Sequence, residues 1–125
     1  MREALRYLKN AKEILKSVPV ENNIYTDVKP VRESFGTAYL AILEAINEYL
    51  VHHKGFKKKE LPKSVEAYRE ALRKHLSVRN GKLLREFEHL YDALHIAGYY
   101  RGLIYDRQAV KRYMEVAREF IEKVK

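Results

Sequence analysis

Apolar residues recur along most of this chain at spacings of three and four, the period of helices that bury one face. Nowhere do they alternate long enough to predict a strand. The longest apolar segment runs from Phe35 to Leu50, and nothing inside it breaks a helix. Its main stripe is Val31, Phe35, Ala38, Tyr39, Ile42, Ala45, Ile46 and Tyr49. At about 100° per residue, Leu40 and Val51 fall nearly opposite that stripe and Leu43 falls on its flank. A helix apolar on two sides is either sandwiched by other helices or reaches a subunit contact, so this segment is predicted to be the axis of the fold.

The remaining elements follow in order. A first helix is predicted from Arg2 to Ser17, with Ala4, Leu5, Leu8, Ala11, Ile14, Leu15 and Val18 on one face, and it stops before Pro19. Residues 18–27 hold a proline, an Asn pair and an Asp, which suits a loop. Asp27, or Thr26 before it, can cap the central helix, and Pro30 fits its first turn. A basic loop punctuated by Gly55 and Pro62 reverses the chain. A third helix from Pro62 or Lys63 to Leu76 places Val65, Tyr68, Leu72 and Leu76 inward, and Asn80-Gly81 reads as a tight turn. The fourth helix, Lys82 to Tyr99, carries Leu83, Phe87, Leu90 and Leu94, with Leu84 and Tyr91 beside them, and Gly98 and Gly102 end it. Asp106 caps a last helix that buries Val110, Tyr113, Met114, Ala117, Phe120, Ile121 and Val124. The fold class predicted is all-α, an up-and-down helical bundle of about five helices, as one domain over residues 1–125.

Composition narrows the chemistry more than the fold. A chain of 125 residues without cysteine can bury a core unaided, and it excludes disulfides, zinc-thiolate sites, iron–sulfur clusters and cysteine nucleophiles. The opening Met1-Arg2-Glu3-Ala4-Leu5-Arg6 lacks the apolar run of a signal peptide, and no run approaches a bilayer's thickness. The expectation is a cytoplasmic protein with no membrane association and no cofactor. The net charge of +8 is unevenly placed: His52 to Arg85 holds 11 basic and three acidic residues, and the rest of the chain balances. Lys57, Lys58, Lys59, Arg69, Arg73, Lys74, Arg79 and Lys82 are the candidate binding residues of that tract, for RNA, a nucleotide or an acidic protein. The alternative is a solubilising surface.

Catalytic signals are sparse. Arg85 and His89 lie four apart on the fourth helix, opposite Phe87, and Asp92 extends their row. An arginine to hold phosphate and a histidine to move a proton are parts a metal-independent ribonuclease needs, but exposed Arg and His at this spacing equally make a solvated face or a subunit contact. The adjacent His52 and His53 have no third ligand spaced to help them, so no metal site is predicted. His95 is read as a boundary histidine hydrogen-bonded to a neighbour, and His75 as part of the basic surface. Among ten tyrosines, Tyr39, Tyr49, Tyr68, Tyr91 and Tyr113 fall at core positions. Tyr99, Tyr100 and Tyr105 cluster with Arg101 and Arg107 in the last link, which either folds over the end of the bundle or stacks bases.

Several residues carry a wider resemblance. The order Ala4-x-x-Tyr7-Leu8-x-Asn10-Ala11-x-Glu13-Ile14-Leu15, then Tyr25-x-Asp27, Gly36-Thr37-Ala38-Tyr39 and Tyr91-Asp92-x-Leu94-His95 before Gly98-Tyr99, resembles a small bacterial family of all-helical domains of unknown function. Its topology in turn looks like the HEPN superfamily. That resemblance implies a homodimer that binds nucleotides or RNA, often paired with a minimal nucleotidyltransferase as protein partner in a toxin–antitoxin module. HEPN ribonucleases carry an Arg with four to six residues before a His. Here Arg79-Asn80 opens correctly, but Leu84, Arg85 and Glu86 stand where the His belongs, and only three residues separate Arg85 from His89. The expected function is therefore a non-enzymatic, self-associating module that binds a protein or nucleotide partner. The alternatives are a HEPN-type endoribonuclease using Arg85 and His89, and a sequence-independent nucleic-acid binder.

Overall fold

The computed structural model describes residues 2–76 and 81–124. Helix α1 (Arg2–Leu15) buries Ala4, Leu8 and Ala11 and packs along the long α2 (Val28–Lys54). Small residues let the two backbones approach: Ala4 and Ala11 face a side of α2 built from Ser34, Ala38, Ala41 and Ala45, all fully buried. Ser34 is the one buried polar side chain among the described residues, and its hydroxyl donates to the Ala11 carbonyl at 2.7 Å. A helix whose core face carries one hydroxyl needs that bond, because a buried donor left unpaired costs about 1–3 kcal/mol.

Both ends of α2 follow from local chemistry. The Asp27 carboxylate accepts from the Lys29 backbone N–H at 3.2 Å, and Gly55 closes the helix with φ +70°. The predicted main stripe is buried along its whole length, apart from Tyr49 at its end, which is partly buried. The segment between α1 and α2 is predicted to be a loop. The chain instead forms a two-strand hairpin, β1 (Val20–Glu21) and β2 (Ile24–Tyr25), with Val20 opposite Tyr25. Asn22 and Asn23 both take positive φ, 50° and 67°, as a two-residue hairpin turn requires, and Asn tolerates that region better than most residues.

After α2 come a short 3₁₀ turn (Lys58–Glu60) and α3 (Val65–Ala71), whose N-cap is Ser64, its hydroxyl accepting from the Ala67 N–H at 3.1 Å. The third helix therefore starts later than predicted and continues into a π-helical turn at Leu72–Leu76. Arg79 and Asn80 lie outside the described residues, and Gly81 enters α4 (Lys82–Leu90) at φ +67°. The fourth helix does not end at Gly98. It rewinds into a ten-residue π-helical segment, Tyr91–Tyr100, and Gly98 sits buried inside it. Gly98 is there for close approach: a Cβ would come within 2.5 Å of the Phe35 ring. Helix α5 (Arg107–Val124) begins where Asp106 accepts from the Gln108 N–H at 2.8 Å, and it buries the predicted residues except Tyr113, which is half-buried. The whole is an all-α bundle of five helices around α2, with one hairpin at its edge. Among the described residues no helix is long and apolar enough to cross a membrane.

Candidate functional site: an aromatic face beside the central helix

Tyr91, His95 and Tyr99 stand four apart on the π-helical segment and so share one side of it. The His95 ring stacks on Tyr39 of α2 at 4.7 Å, with Tyr91 at 5.4 Å and Tyr99 at 6.0 Å. Tyr100 meets the rings of His95 and Tyr99 edge-on at 5.8 and 6.1 Å. Two residues of α2 hold this arrangement. Gly36 leaves room for the Tyr99 ring, which a Cβ would approach to 2.9 Å. Arg32 donates from Nε to the Tyr99 carbonyl and from Nη2 to the Tyr100 carbonyl, both at 2.7 Å, and so satisfies carbonyls left open at the end of the π-helical segment.

The face is covered at one end and open at the other. Over Asn47 and Tyr91 lies α3: the Tyr68 hydroxyl donates to Asn47 Oδ1 at 3.0 Å, and the Arg69 guanidinium sits 5.3 Å from the centre of the Tyr91 ring. Below it Leu40, one turn beyond Gly36, is 50% exposed, Tyr99 42% and Tyr100 65%. The sequence left open what covers Leu40, Leu43 and Val51. Leu43 packs against the core, whereas Leu40 and Val51 remain exposed.

The rings of this face are neutral, and formal charge stands at its edge, where the exposed Arg32 guanidinium holds the Tyr99 and Tyr100 carbonyls. Burial holds His95 below the ordinary histidine value of 6.5, so it is mostly neutral at pH 7. Burial, reinforced by Tyr91 and Tyr68, pushes the Tyr39 phenol up to about 12. A histidine that is harder to protonate when folded makes acid unfavourable to the fold. Above the unfolded value both states are neutral and the residue contributes nothing; as pH falls through about 6.5 and below, the unfolded chain takes up the proton first and stability drops. Relative to His95→Phe, which keeps a stacked ring, the wild-type urea midpoint is expected to fall between about pH 8 and pH 5. A difference independent of pH over that range would contradict this environment.

The structure places the residues singled out from sequence in different surroundings. Arg85 and His89 do open into one groove, of about 440 Å³ between α4 and α5, together with Lys82 and Lys123. Within it Lys123 is paired to Glu86 at 2.8 Å and the His89 ring lies 6.3 Å from Tyr113; Asp92 is exposed and does not line the groove. The basic tract is dispersed. Arg69 is held between Glu66 and Glu88, the latter at 2.7 Å, and Arg73 pairs with Glu70, to which Lys74 also reaches at 4.0 Å. Lys57, Lys58 and Lys59 are exposed on and beside the 3₁₀ turn, with the Lys57 N–H donated to Glu60. Two histidines depart from their sequence reading: among the described residues His95 stacks and makes no hydrogen bond, and His75 is half-buried, edge-on to Phe56 at 5.3 Å. The tyrosines of the last link do not close over the bundle end as one group. Tyr99 and Tyr100 join the α2 face, while the Tyr105 carbonyl accepts from Tyr25 of the hairpin at 2.9 Å.

Sequence reasoning missed Gly36 and Arg32 as builders of this face. The only signal was a glycine at the start of an apolar helix. Arg32 acts on carbonyls 67 and 68 residues away, which no local pattern reveals.

Comparison with known proteins agrees with this architecture. No curated protein matches the chain. A solved structure, a protein of unknown function from Dyadobacter fermentans, is 33% identical over 98% of this chain and 90% of that one, with a TM-score of 0.77. The family model described as a domain of unknown function (DUF5618) matches residues 1–125, so the chain, from α1 through the aromatic face to α5, belongs to the DUF5618 family.

Proposed function

We infer that the chain is a non-enzymatic helical-bundle module that self-associates through the open aromatic face. The observation that carries this reading is the exposure of Leu40, Tyr99 and Tyr100 beside the stacked His95 ring, with the neighbouring Arg32 guanidinium engaged by two backbone carbonyls, in a chain of net charge +8. Two copies of a strongly basic chain repel each other wherever free lysines and arginines meet, so an isologous contact is least opposed where apolar and aromatic side chains dominate the surface. The face is also chemically self-complementary. Its tyrosines present both ring faces and ring edges, and aromatic pairs prefer edge-to-face and offset contacts. Burying exposed leucine and tyrosine adds the apolar term that such contacts need.

Leu40→Glu places a carboxylate on the exposed side of α2, one turn beyond Gly36, without touching the core stripe. Sedimentation at tens of micromolar is expected to give the mass of two chains for wild type and of one chain for Leu40→Glu, with Val51→Glu as a control that stays paired. A wild type that sediments as a single chain, or a Leu40→Glu variant that stays paired, would overturn the reading.

A further inference from the structure

A second cavity, on a different side of the bundle, has a composition of its own. It lies where the end of α1, the hairpin and the start of α5 meet, and its volume is about 580 Å³. Its apolar floor is Leu15, Val18 and Met114, with the half-buried Tyr25 as one wall. Around the rim stand Lys12, Lys16, Arg107 and Lys111. The single carboxylate lining it, Glu115, is bound to Arg118 at 2.5 Å, and Lys16 is paired to Glu13 at 2.9 Å outside the cavity. Among the described residues no acidic side chain forms a salt bridge with Lys12, Arg107 or Lys111. The hydrogen bond from Arg118 holds the Glu115 carboxyl below its ordinary value, and of the three rim cations only Lys12 lies near enough to help.

The walls are fixed. The Arg107 backbone N–H donates to the Asn23 carbonyl at 3.0 Å, the Tyr25 N–H to Tyr105 at 2.9 Å, and the Thr26 N–H to Pro19 at 3.0 Å. These bonds tie the hairpin to the start of α5 and to the end of the first connection, so the cavity needs no rearrangement to exist. Lys12, Arg107 and Lys111 stand at one rim whose lining holds a single carboxylate, Glu115, already bound to Arg118, so an anion placed among them lowers their mutual repulsion. An inorganic ion would leave the apolar floor wet. A polyanion backbone would lie across the rim and leave the floor unused. The volume falls in the range of small-molecule sites, about 300–1,000 Å³.

We propose that this cavity binds a small amphipathic anion, with an aromatic or aliphatic body on Leu15, Val18, Met114 and Tyr25 and a phosphate or carboxylate head held by Lys12, Arg107 and Lys111. The site is separate from the self-association face and does not depend on it.

The test uses 1-naphthyl phosphate as probe in a calorimetric titration, with 1-naphthol and inorganic phosphate as its two halves. The full probe is expected to bind at least roughly tenfold more tightly than either half, because each half satisfies only the floor or only the rim. The double variant Arg107→Gln/Lys111→Gln, whose side chains make no internal ion pair, is expected to lose roughly tenfold or more in affinity while keeping the wild-type circular dichroism spectrum. Lys58→Gln in the basic tract and Leu40→Glu on the aromatic face are expected to bind as wild type. The proposal is overturned by no binding at millimolar probe, by unchanged affinity in the double variant, or by inorganic phosphate binding as tightly as the naphthyl ester. It is equally overturned if a single-stranded oligonucleotide binds where naphthyl phosphate does not, which would assign the rim to a polyanion.

Discussion

Gly98→Ala is expected to lower the unfolding free energy by about 1–3 kcal/mol, the range for forcing an extra carbon into a packed core. The added Cβ would come within 2.5 Å of the Phe35 Cγ and 2.8 Å of both Cδ atoms. Phe35 cannot yield easily: it is fully buried, and its ring meets Tyr113 of α5 edge-on at 6.3 Å. Alanine in place of glycine within a helix works in the opposite direction, by about 0.5–1 kcal/mol, so the clash decides the sign. Gly36→Ala supplies the contrast. The nearest atoms to its Cβ belong to the ring of Tyr99, which is 42% exposed and can shift at the cost of its contact with His95, so its stability change is expected to stay below that of Gly98→Ala. Shrinking the ring should relieve the clash. In Phe35→Leu/Gly98→Ala the two losses are therefore expected to be less than additive, by roughly 0.5–3 kcal/mol in a double-mutant cycle. Urea unfolding of the four proteins measures this, and Gly98→Ala as stable as wild type would refute the packing.

That close approach also shows where sequence reading stopped. Glycine near the end of an apolar period reads as a helix stop, since glycine is a poor helix former. At Gly98 the reason is contact with a residue 63 positions earlier, and only the folded chain supplies it. The π-helical winding of Tyr91–Tyr100 is equally silent in sequence, because residues four apart share a face in either winding. By contrast α2, its Asp27 cap, the apolar face of α5 and, except for Leu5, which is exposed, that of α1 were legible, since a cap and a 3.6-residue period are local properties. The hairpin was not legible: the Asn pair reads as loop, because two residues per strand fall below any alternation test.

The same locality limits the functional reading. The excess of basic residues between His52 and Arg85 is real along the chain, yet Arg69 is answered by Glu88, which lies outside that window. A one-dimensional count cannot see an acid delivered by another helix. Conversely, the cavity rimmed by Lys12, Arg107 and Lys111 draws its cations from stretches whose charges balance along the sequence. His95 follows the same logic: its place on the edge of an apolar face was legible, while the Tyr39 ring beneath it comes from α2.

Phe87→Ala is expected to have the largest effect on stability, a loss of about 3–5 kcal/mol, because the removed ring leaves a cavity that fixed helices cannot close. Phe87 is fully buried, with its ring 6.5 Å from that of Phe120 on α5. The polar link between α4 and α5 is weaker. The Lys123–Glu86 pair joins side chains 49% and 27% exposed, and such pairs contribute about 0–1 kcal/mol. The loss should also be local. The contact between α1 and α2 runs through Ala4, Leu8, Ala11 and Ser34 and does not use the Phe87 ring. Amide hydrogen exchange on Phe87→Ala is therefore expected to show protection falling first in α4 and the C-terminal half of α5, with α1 and α2 closer to wild type. Lys123→Ala, by comparison, should move the urea midpoint only slightly. If protection in Phe87→Ala falls equally in α1 and α4, the bundle unfolds as a single unit. The Arg85–His89 groove then cannot open independently of the α1–α2 core.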